Sequence, residues 1–216
     1  KHGGIENVLV DYPLSVMKRL RIGDGVQVFS IGQGMRFEDF PDIAVMNASP
    51  RLIRCWGLRA EGRRLGVPVT HLVPAAIMGS GLGKSSAARG DYDIQLFDPA
   101  VRKRYRLGSL RFGDVVAIVD ADGRFGRAYS SGHITIGIVV HGDSTVAGHG
   151  PGVVTLLSGP ASRFVASRDR DANIARLLSL RSPAKPVSRK PLIAKTRAAG
   201  QPGRPVRSRQ ILHIEP

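Results

Sequence analysis

The stretch FGDVVAIVDADGRFGRAY, residues 112–129, decides the fold class of this chain. A run of mostly apolar residues is followed by Asp122-Gly123, and such a dipeptide between two strand-like segments is typical of a β-hairpin. Val and Ile dominate the apolar run, and β-branched side chains fit the pleated surface of a sheet. The stretch therefore predicts two antiparallel strands joined by a tight turn.

Short apolar runs of this kind, separated by Gly, Pro and Asp, recur through residues 1–180. They predict strands joined by turns. LRFGDVVAI, residues 110–118, also has an echo in LRIGDGVQV, residues 20–28, and in each copy a Gly-Asp turn leads into a strand. We predict one mainly β globular unit over residues 1–180, with small β-barrel-like lobes and a few short helices. The echo favours two lobes, although a common strand-entry pattern explains it equally well.

Three segments predict the short helices. YPLSVMKRL and DPAVRKRYRL place Pro13 and Pro99 at the first helical position, where the missing N–H costs nothing, and Asp98 can cap the second of these helices. SRDRDANIARLLSL, residues 167–180, has apolar side chains on one helical face. This last helix is expected to close the folded unit.

The composition excludes several classes of protein. The single cysteine, Cys55, allows neither an intrachain disulfide nor a thiolate zinc cage, which favours a reducing compartment such as the cytoplasm. No apolar run approaches the ~18 residues that span a bilayer, and no signal-peptide pattern opens the chain, so we expect no membrane partner. Because the chain starts at Lys1 rather than at Met, we expect residues of the natural protein to precede it.

The formal net charge of +15 is concentrated at the end of the chain. Residues 181–216 hold nine Lys or Arg against one acid, Glu215, and six of the fourteen prolines, with no aromatic residue. Such a segment cannot bury enough apolar surface to offset its ordering entropy, so we predict a basic, Pro-rich, disordered tail. The tail either adds weak, nonspecific and salt-sensitive affinity for nucleic acid or serves only as a solvated extension.

The segment MGSGLGKSSAARGDYDIQ, residues 78–95, predicts an anion-binding loop rather than a nucleotide site. Its glycine spacing is one residue short of a P-loop, and Gly90 interrupts the helix that a P-loop requires. Successive glycine amides beside basic side chains can still form a concave anion site. The candidate anion-binding residues are Gly83, Lys84, Ser85 and Arg89. A loop with a solvated lysine is an equally good interpretation.

The segment HGDSTVAGHGPGV, residues 141–153, predicts a metal centre. If the preceding strand continues through Asp143, then His141 and Asp143 project from the same face, and His149 returns on the next turn. Two imidazoles and a carboxylate suit a divalent ion with an open position, so we predict His141, Asp143 and His149 as metal ligands. Asp93, Asp143 and His149 are the predicted catalytic residues. The alternative is that both histidines bond backbone groups of a glycine-rich turn.

Four long blocks of the sequence point to a family: KHGGIENVLVDYP, VPAAIMGSGLGKSSAARGDYDIQLFD, LRFGDVVAI and ITIGIVVHGDSTVAGHGPGVVTLLSG. In this order they resemble the prokaryotic domain-of-unknown-function family 4438. The resemblance covers roughly residues 1–165 and leaves out the basic tail. It implies a mainly β protein with small barrel-like parts, a further N-terminal region and no established activity.

A fainter likeness involves the glycine-rich segment that follows the strands. The acetamidase/formamidase family has a block of the form Gly-Asp-x-His-x-Ala-Gln-Gly-Asp-Gly-Glu in the corresponding place. Gly142, Asp143 and Ala147 match this block, but the histidine of the family falls on Thr145. This resemblance implies at most a shared role for Asp93 and Asp143.

Together the two polar loops, residues 79–93 and 141–153, predict one pocket for a small polar ligand. The leading interpretation is a metal-assisted hydrolase or lyase with a divalent ion as cofactor, since an enzyme needs convergent polar groups. The alternative is a non-catalytic binding module for an anionic ligand or nucleic acid, although the interleaved aromatic residues typical of nucleic-acid binding are absent from the sequence. A structural subunit whose glycine loops are only turns is the third interpretation.

Overall fold

The structure is a computed structural model, and it describes residues 14–25, 31–144 and 146–180. The predicted tail, residues 181–216, lies outside these ranges. The described strands are β1 (Ala44–Val45), β2 (Arg59–Glu61), β3 (Arg64–Val69), β4 (His71–Pro74), β5 (Tyr92–Asp93), β6 (Val115–Asp122), β7 (Ala128–Val139), β8 (Gly152–Pro160) and β9 (Phe164–Arg168). The described α-helices are α1 (Leu14–Met17), α2 (Pro50–Cys55), α3 (Pro99–Arg104) and α4 (Ile174–Leu177).

Six strands form the central sheet, in which β1, β8, β7, β6 and β4 lie side by side and β5 pairs with β8. β6, β7 and β8 are antiparallel neighbours, and β4 runs parallel to β6. A second sheet contains β2, β3 and β9, with β3 and β9 parallel. The mainly β class with a few short helices is therefore confirmed. The described strands form sheets, and no closed barrel is found among them.

The hairpin predicted at Asp122-Gly123 is confirmed. β6 and β7 pair antiparallel as far as Asp122 and Ala128, so their connection spans residues 123–127. This connection is longer than the two-residue turn that the dipeptide favours, because Asp122 remains in the strand ladder. The Asp122 carboxylate accepts a hydrogen bond of 2.9 Å from the Arg124 amide, which folds the chain back at this point.

Two apolar clusters lie on opposite faces of β6. Val115 and Ala117 belong to the first cluster and Val116 and Ile118 to the second, as the two-residue period of a strand requires. Because both faces are covered, the run VVAIV contains no alternating polar residues. The first cluster contains side chains from both sheets, whereas the second includes side chains of β5 and so fixes the strand that precedes the candidate site.

Three of the four described α-helices lie inside the predicted segments and are shorter than predicted, whereas α2 was not predicted. α1 and α3 lie inside the predicted segments, and the Asp98 carboxylate caps α3 by accepting from the amides of Ala100 and Val101. The segment at residues 167–180 is not one continuous helix. Its first two residues belong to β9, which extends to Arg168, and α4 begins only after its N-cap, Asn173. None of the helices in the described ranges has the length and apolar character needed to cross a membrane.

The echo in the sequence corresponds to a shared turn. In both copies an arginine amide donates to the carboxylate of the aspartate three residues later, at 2.8 Å for Arg21 and Asp24 and at 2.9 Å for Arg111 and Asp114. The glycine before each aspartate has a positive φ, of 94° and 83° respectively, which explains why glycine stands there. The strand predicted after the first copy includes residues 26–30, which lie outside the described ranges.

The buried His71, at the start of β4, makes the stability of the fold depend on pH. Burial lowers the pKa of His71, so the unfolded chain takes up a proton at a higher pH than the folded chain does. We expect the free energy of unfolding to fall as the pH drops below ~6.5 and to level off below the folded-state pKa. Denaturant titrations between about pH 8 and pH 5 should show this loss in the wild type and a smaller loss in His71→Gln. If the free energy of unfolding fell equally with pH in both proteins, His71 would not be the cause of the pH dependence.

Candidate metal centre

Strand pairing brings carboxylates and an imidazole together at one end of the central sheet. Asp93 ends β5, and Asp91 directly precedes this strand. His141 follows β7, which ends at Val139. β5 and β7 both pair with Val153 at the start of β8, one along each edge of that strand. The two acidic residues and the histidine are therefore held side by side by backbone register.

The geometry of these three side chains fits a divalent metal ion. Asp91, Asp93 and His141 each offer one ligand atom, and the three atoms lie within 4.8 Å of one another. Nε2 of His141 is 2.7 Å from Oδ2 of Asp91 and 3.5 Å from Oδ1 of Asp93. Two carboxylates and one imidazole supply the oxygen and nitrogen donors that suit ions such as Zn²⁺ and Mn²⁺.

The hydrogen bond on the far side of His141 orients its ring as a ligand. Nδ1 lies 3.0 Å from the carbonyl oxygen of Gly142, which can only accept, so Nδ1 carries the proton in the neutral ring. Nε2 then carries the lone pair of the neutral ring and lies 2.7 Å from Oδ2 of Asp91, an atom that is buried and accepts no hydrogen bond from the described residues. A contact this short between a carboxylate oxygen and an imidazole nitrogen is favourable when a proton or a metal ion lies between the two atoms. A backbone carbonyl on the second ring nitrogen is common among metal-binding histidines.

Gly152 leaves the space in which these groups converge. A Cβ atom at position 152 would overlap both Oδ2 of Asp91 and Nε2 of His141. It would lie at about the distance that a bound ion keeps from such atoms, ~2.0–2.2 Å, which is far too short for a carbon that is not bonded to them. The close approach of the carboxylate and the imidazole thus requires glycine at this position.

Asp93 links the second histidine, His149, to the cluster of Asp91, Asp93 and His141. Its carboxylate is buried, accepts a hydrogen bond of 3.3 Å from the Gly150 amide and lies 3.1 Å from Nδ1 of His149. Burial raises the pKa of Asp93, while the Gly150 amide and the two histidines favour the ionised form. Nδ1 of His149 thus lies beside a buried carboxylate, whereas the side chain as a whole is 40% exposed.

Arg127 anchors the glycine loop that leads into β5. Its buried guanidinium donates to the carbonyl oxygens of Gly81 and Arg89, and it lies 5.4 Å from the centre of the Tyr92 ring. The carbonyl of Arg127 in turn accepts a bond of 2.8 Å from the Gly83 amide. One residue of the β6–β7 turn therefore holds the loop and the aromatic ring between the two aspartates.

The residues of the predicted anion site lie on this loop, outside the cluster of Asp91, Asp93 and His141. Lys84, Ser85 and Arg89 are exposed. The Gly83 amide already donates to the Arg127 carbonyl, so it is not open to an anion. Anion binding stays a prediction, and it would depend on the side chains of Lys84 and Arg89.

Of the residues predicted for the metal and catalytic sites, the structure brings together His141, Asp93 and His149. Asp143 lies outside the three-residue cluster, with an exposed carboxylate that accepts a bond of 2.9 Å from the Ser144 amide. The condition that the strand continues through Asp143 is not met, because β7 ends at Val139. A role for Asp143 as a ligand stays a prediction.

Sequence reasoning did not select Asp91 as a ligand. The signal was present in the spacing of GDYD, because residues two apart in a strand project from the same face. Asp91 and Asp93 satisfy this spacing, and the pairing of β5 with β8 places both beside His141.

We expect Gly152→Ala to weaken metal binding at least tenfold, because the added methyl group must displace the Asp91 carboxylate or the His141 ring. Gly142→Ala is the matched control, since a Cβ there meets nothing within 4 Å. Competition with a chromophoric zinc chelator measures both affinities, and thermal melts establish that each variant is folded. If the folded Gly152→Ala variant bound metal as tightly as the wild type, the proposed position of the ion would be contradicted. An equal loss of metal affinity in Gly142→Ala would also contradict it.

Comparison with known proteins gives a family but no activity. No curated protein matches the chain. One solved structure, "Crystal structure of TM1086", is 40% identical, with a TM-score of 0.63, over 67% of this chain and 50% of that chain. The match thus spans about half the length of that protein. Models of the N-terminal and C-terminal domains described as "Domain of unknown function (DUF4438)" match residues 1–54 and 55–178. The resemblance found in the sequence is confirmed, and the chain belongs to the DUF4438 family.

Proposed function

We propose that this protein is a metal-dependent hydrolase or lyase of a small polar substrate, with a divalent ion held by Asp91, Asp93 and His141. The observation that carries the proposal is the 2.7 Å approach of Oδ2 of Asp91 to Nε2 of His141, at a place where only glycine fits. A divalent cation between these atoms compensates the two carboxylates.

The number of ligands supports catalysis rather than a purely structural role for the ion. Structural zinc sites are closed by four protein ligands, whereas catalytic sites have three and keep a position open. Three protein groups form the cluster found in the described residues. Exposed side-chain surface remains on His141, at 23%, and on the neighbouring His149, at 40%. A substrate can therefore approach from the histidine side.

A bound divalent ion supplies Lewis acidity, which activates a water molecule or polarises a carbonyl group. The chain itself supplies the base. His149 accepts a proton at Nε2, because its Nδ1 is oriented toward Asp93. The Asp93 carboxylate stabilises the imidazolium that forms, and the same Nε2 then returns the proton to the leaving group.

The second candidate function is non-catalytic binding of an anionic ligand or nucleic acid. The exposed Lys84 and Arg89 favour it, together with the formal charge of +15 to which residues 181–216 contribute strongly. Such binding would weaken steeply as salt rises. For either function we propose a cytoplasmic location, which the single cysteine supports.

We expect the purified chain to bind one Zn²⁺ or Mn²⁺ ion, measured by elemental analysis after reconstitution and dialysis. Asp91→Asn and Asp93→Asn should each lose the ion, because the amide keeps the shape of the side chain and removes its charge. Asp143→Asn is the matched control and should keep it, since its carboxylate lies outside the cluster. Absence of bound metal in the wild type would refute the proposal. If only Asp143→Asn lost the ion, the ion would instead be held by the ligands predicted from sequence, His141, Asp143 and His149.

His149→Ala should keep the metal ion and lower kcat by roughly 10²–10⁴-fold, because it removes the proposed base and none of the three ligands. The assay uses the metal-loaded protein with a panel of small amides and esters, and it follows the substrate that the wild type turns over fastest. Unchanged turnover in the variant would contradict the role of His149. A metal-loaded wild type that turns over none of the panel would contradict the hydrolase assignment.

A further inference from the structure

A cleft of about 200 Å³ lies beside His141. It is lined by the apolar side chains of Leu96, Leu107 and Leu110, and by Arg102 of α3. This volume is below the ~300–1,000 Å³ that is typical of pockets for drug-sized ligands, so the cleft suits a small molecule. The cleft and the proposed metal site share the imidazole of His141. A ligand in the cleft therefore lies next to the metal ligands.

Two arginines line the cleft, and only one of them is paired with a carboxylate. Arg111 also lines it, but Nη2 of Arg111 is 2.9 Å from the buried Asp114 carboxylate. Arg102 forms no ion pair with the residues that the structure describes. The cleft thus offers one uncompensated guanidinium to an occupant. A guanidinium fork matches the two oxygens of a carboxylate.

The carboxylate of Asp143 affects how a charged ligand would be oriented in the cleft. Its exposed carboxylate lines the cleft two residues after His141 and is not paired with Arg102. A carboxylate on a ligand is repelled by Asp143 and attracted by Arg102, so it faces the arginine. The remainder of the ligand then lies among the other lining residues, which include the leucine side chains and His141.

We propose that this cleft binds the carboxylate end of a small aliphatic substrate, with Arg102 as the residue that recognises it. Only the description of the occupant as a substrate rests on the proposed function. The binding of a carboxylate requires no more than the cleft and Arg102. The inference narrows the substrate class from a small polar molecule to a short aliphatic carboxylate whose reacting group lies at the end opposite the carboxylate.

The test is a saturation-transfer NMR titration of the full chain with sodium butyrate at constant ionic strength. Butanamide and n-butylamine serve as uncharged and cationic probes of the same length. We expect butyrate to bind more tightly than either. Arg102→Gln should weaken butyrate at least tenfold, the effect of losing one charge-assisted hydrogen bond. Lys103→Gln removes the same charge from the same helix at a position that does not line the cleft, and it should leave the affinity unchanged.

Butyrate affinity no higher than that of butanamide or butylamine would overturn the proposal. Equal weakening by the Arg102 and Lys103 substitutions would also overturn it, because it would show general charge attraction. The failures of the two proposals are distinguishable when metal content is measured on the same samples. Arg102-dependent butyrate binding by a protein that takes up no metal refutes the metal site alone. Metal uptake without butyrate binding refutes the cleft alone.

Discussion

The close contact of Asp91 and Asp93 with Nε2 of His141 is the interaction on which the rest of the site depends. Three electron-rich atoms within 4.8 Å of one another are unfavourable in a partly buried place unless a cation joins them. The tautomer of His141 is fixed by the carbonyl of Gly142, so turning a donor toward the carboxylates requires protonation of the ring. Either a metal ion or a proton on Nε2 can therefore compensate the two carboxylates at this contact.

The fold supplies the constraint that holds these groups together. β8 is paired on both edges at Val153, and this register sets the separation between β5 and the end of β7. The side chains that flank Asp93, Tyr92 and Ile94, are buried in the second apolar cluster, so the intervening carboxylate projects away from that core. Arg127 adds a buried positive charge near the aspartates, and burial lowers its pKa while the carboxylates oppose that effect. Backbone pairing, packing and electrostatics thus act on the same few residues.

Local chemistry made the turns and caps predictable from sequence. Asp98 caps α3 because its carboxylate meets the first free amides of its own helix, and the β6–β7 hairpin follows from the run that precedes Asp122. The ligand set was only partly predictable, because it depends on long-range register. Asp93 faces Gly152 across 59 positions of sequence, and no local pattern indicates which strands pair. For the same reason Asp143 was favoured over Asp91.

The proposed function requires that a metal ion, rather than a proton, lies between Asp91 and His141. The most direct measurement is an anomalous difference map from crystals soaked with Zn²⁺, with data collected on both sides of the zinc absorption edge. We expect one strong peak at ~2.0–2.2 Å from Oδ2 of Asp91 and from Nε2 of His141, next to Gly152. Zinc bound elsewhere, with Nε2 of His141 hydrogen-bonded directly to the Asp91 carboxylate, would contradict it.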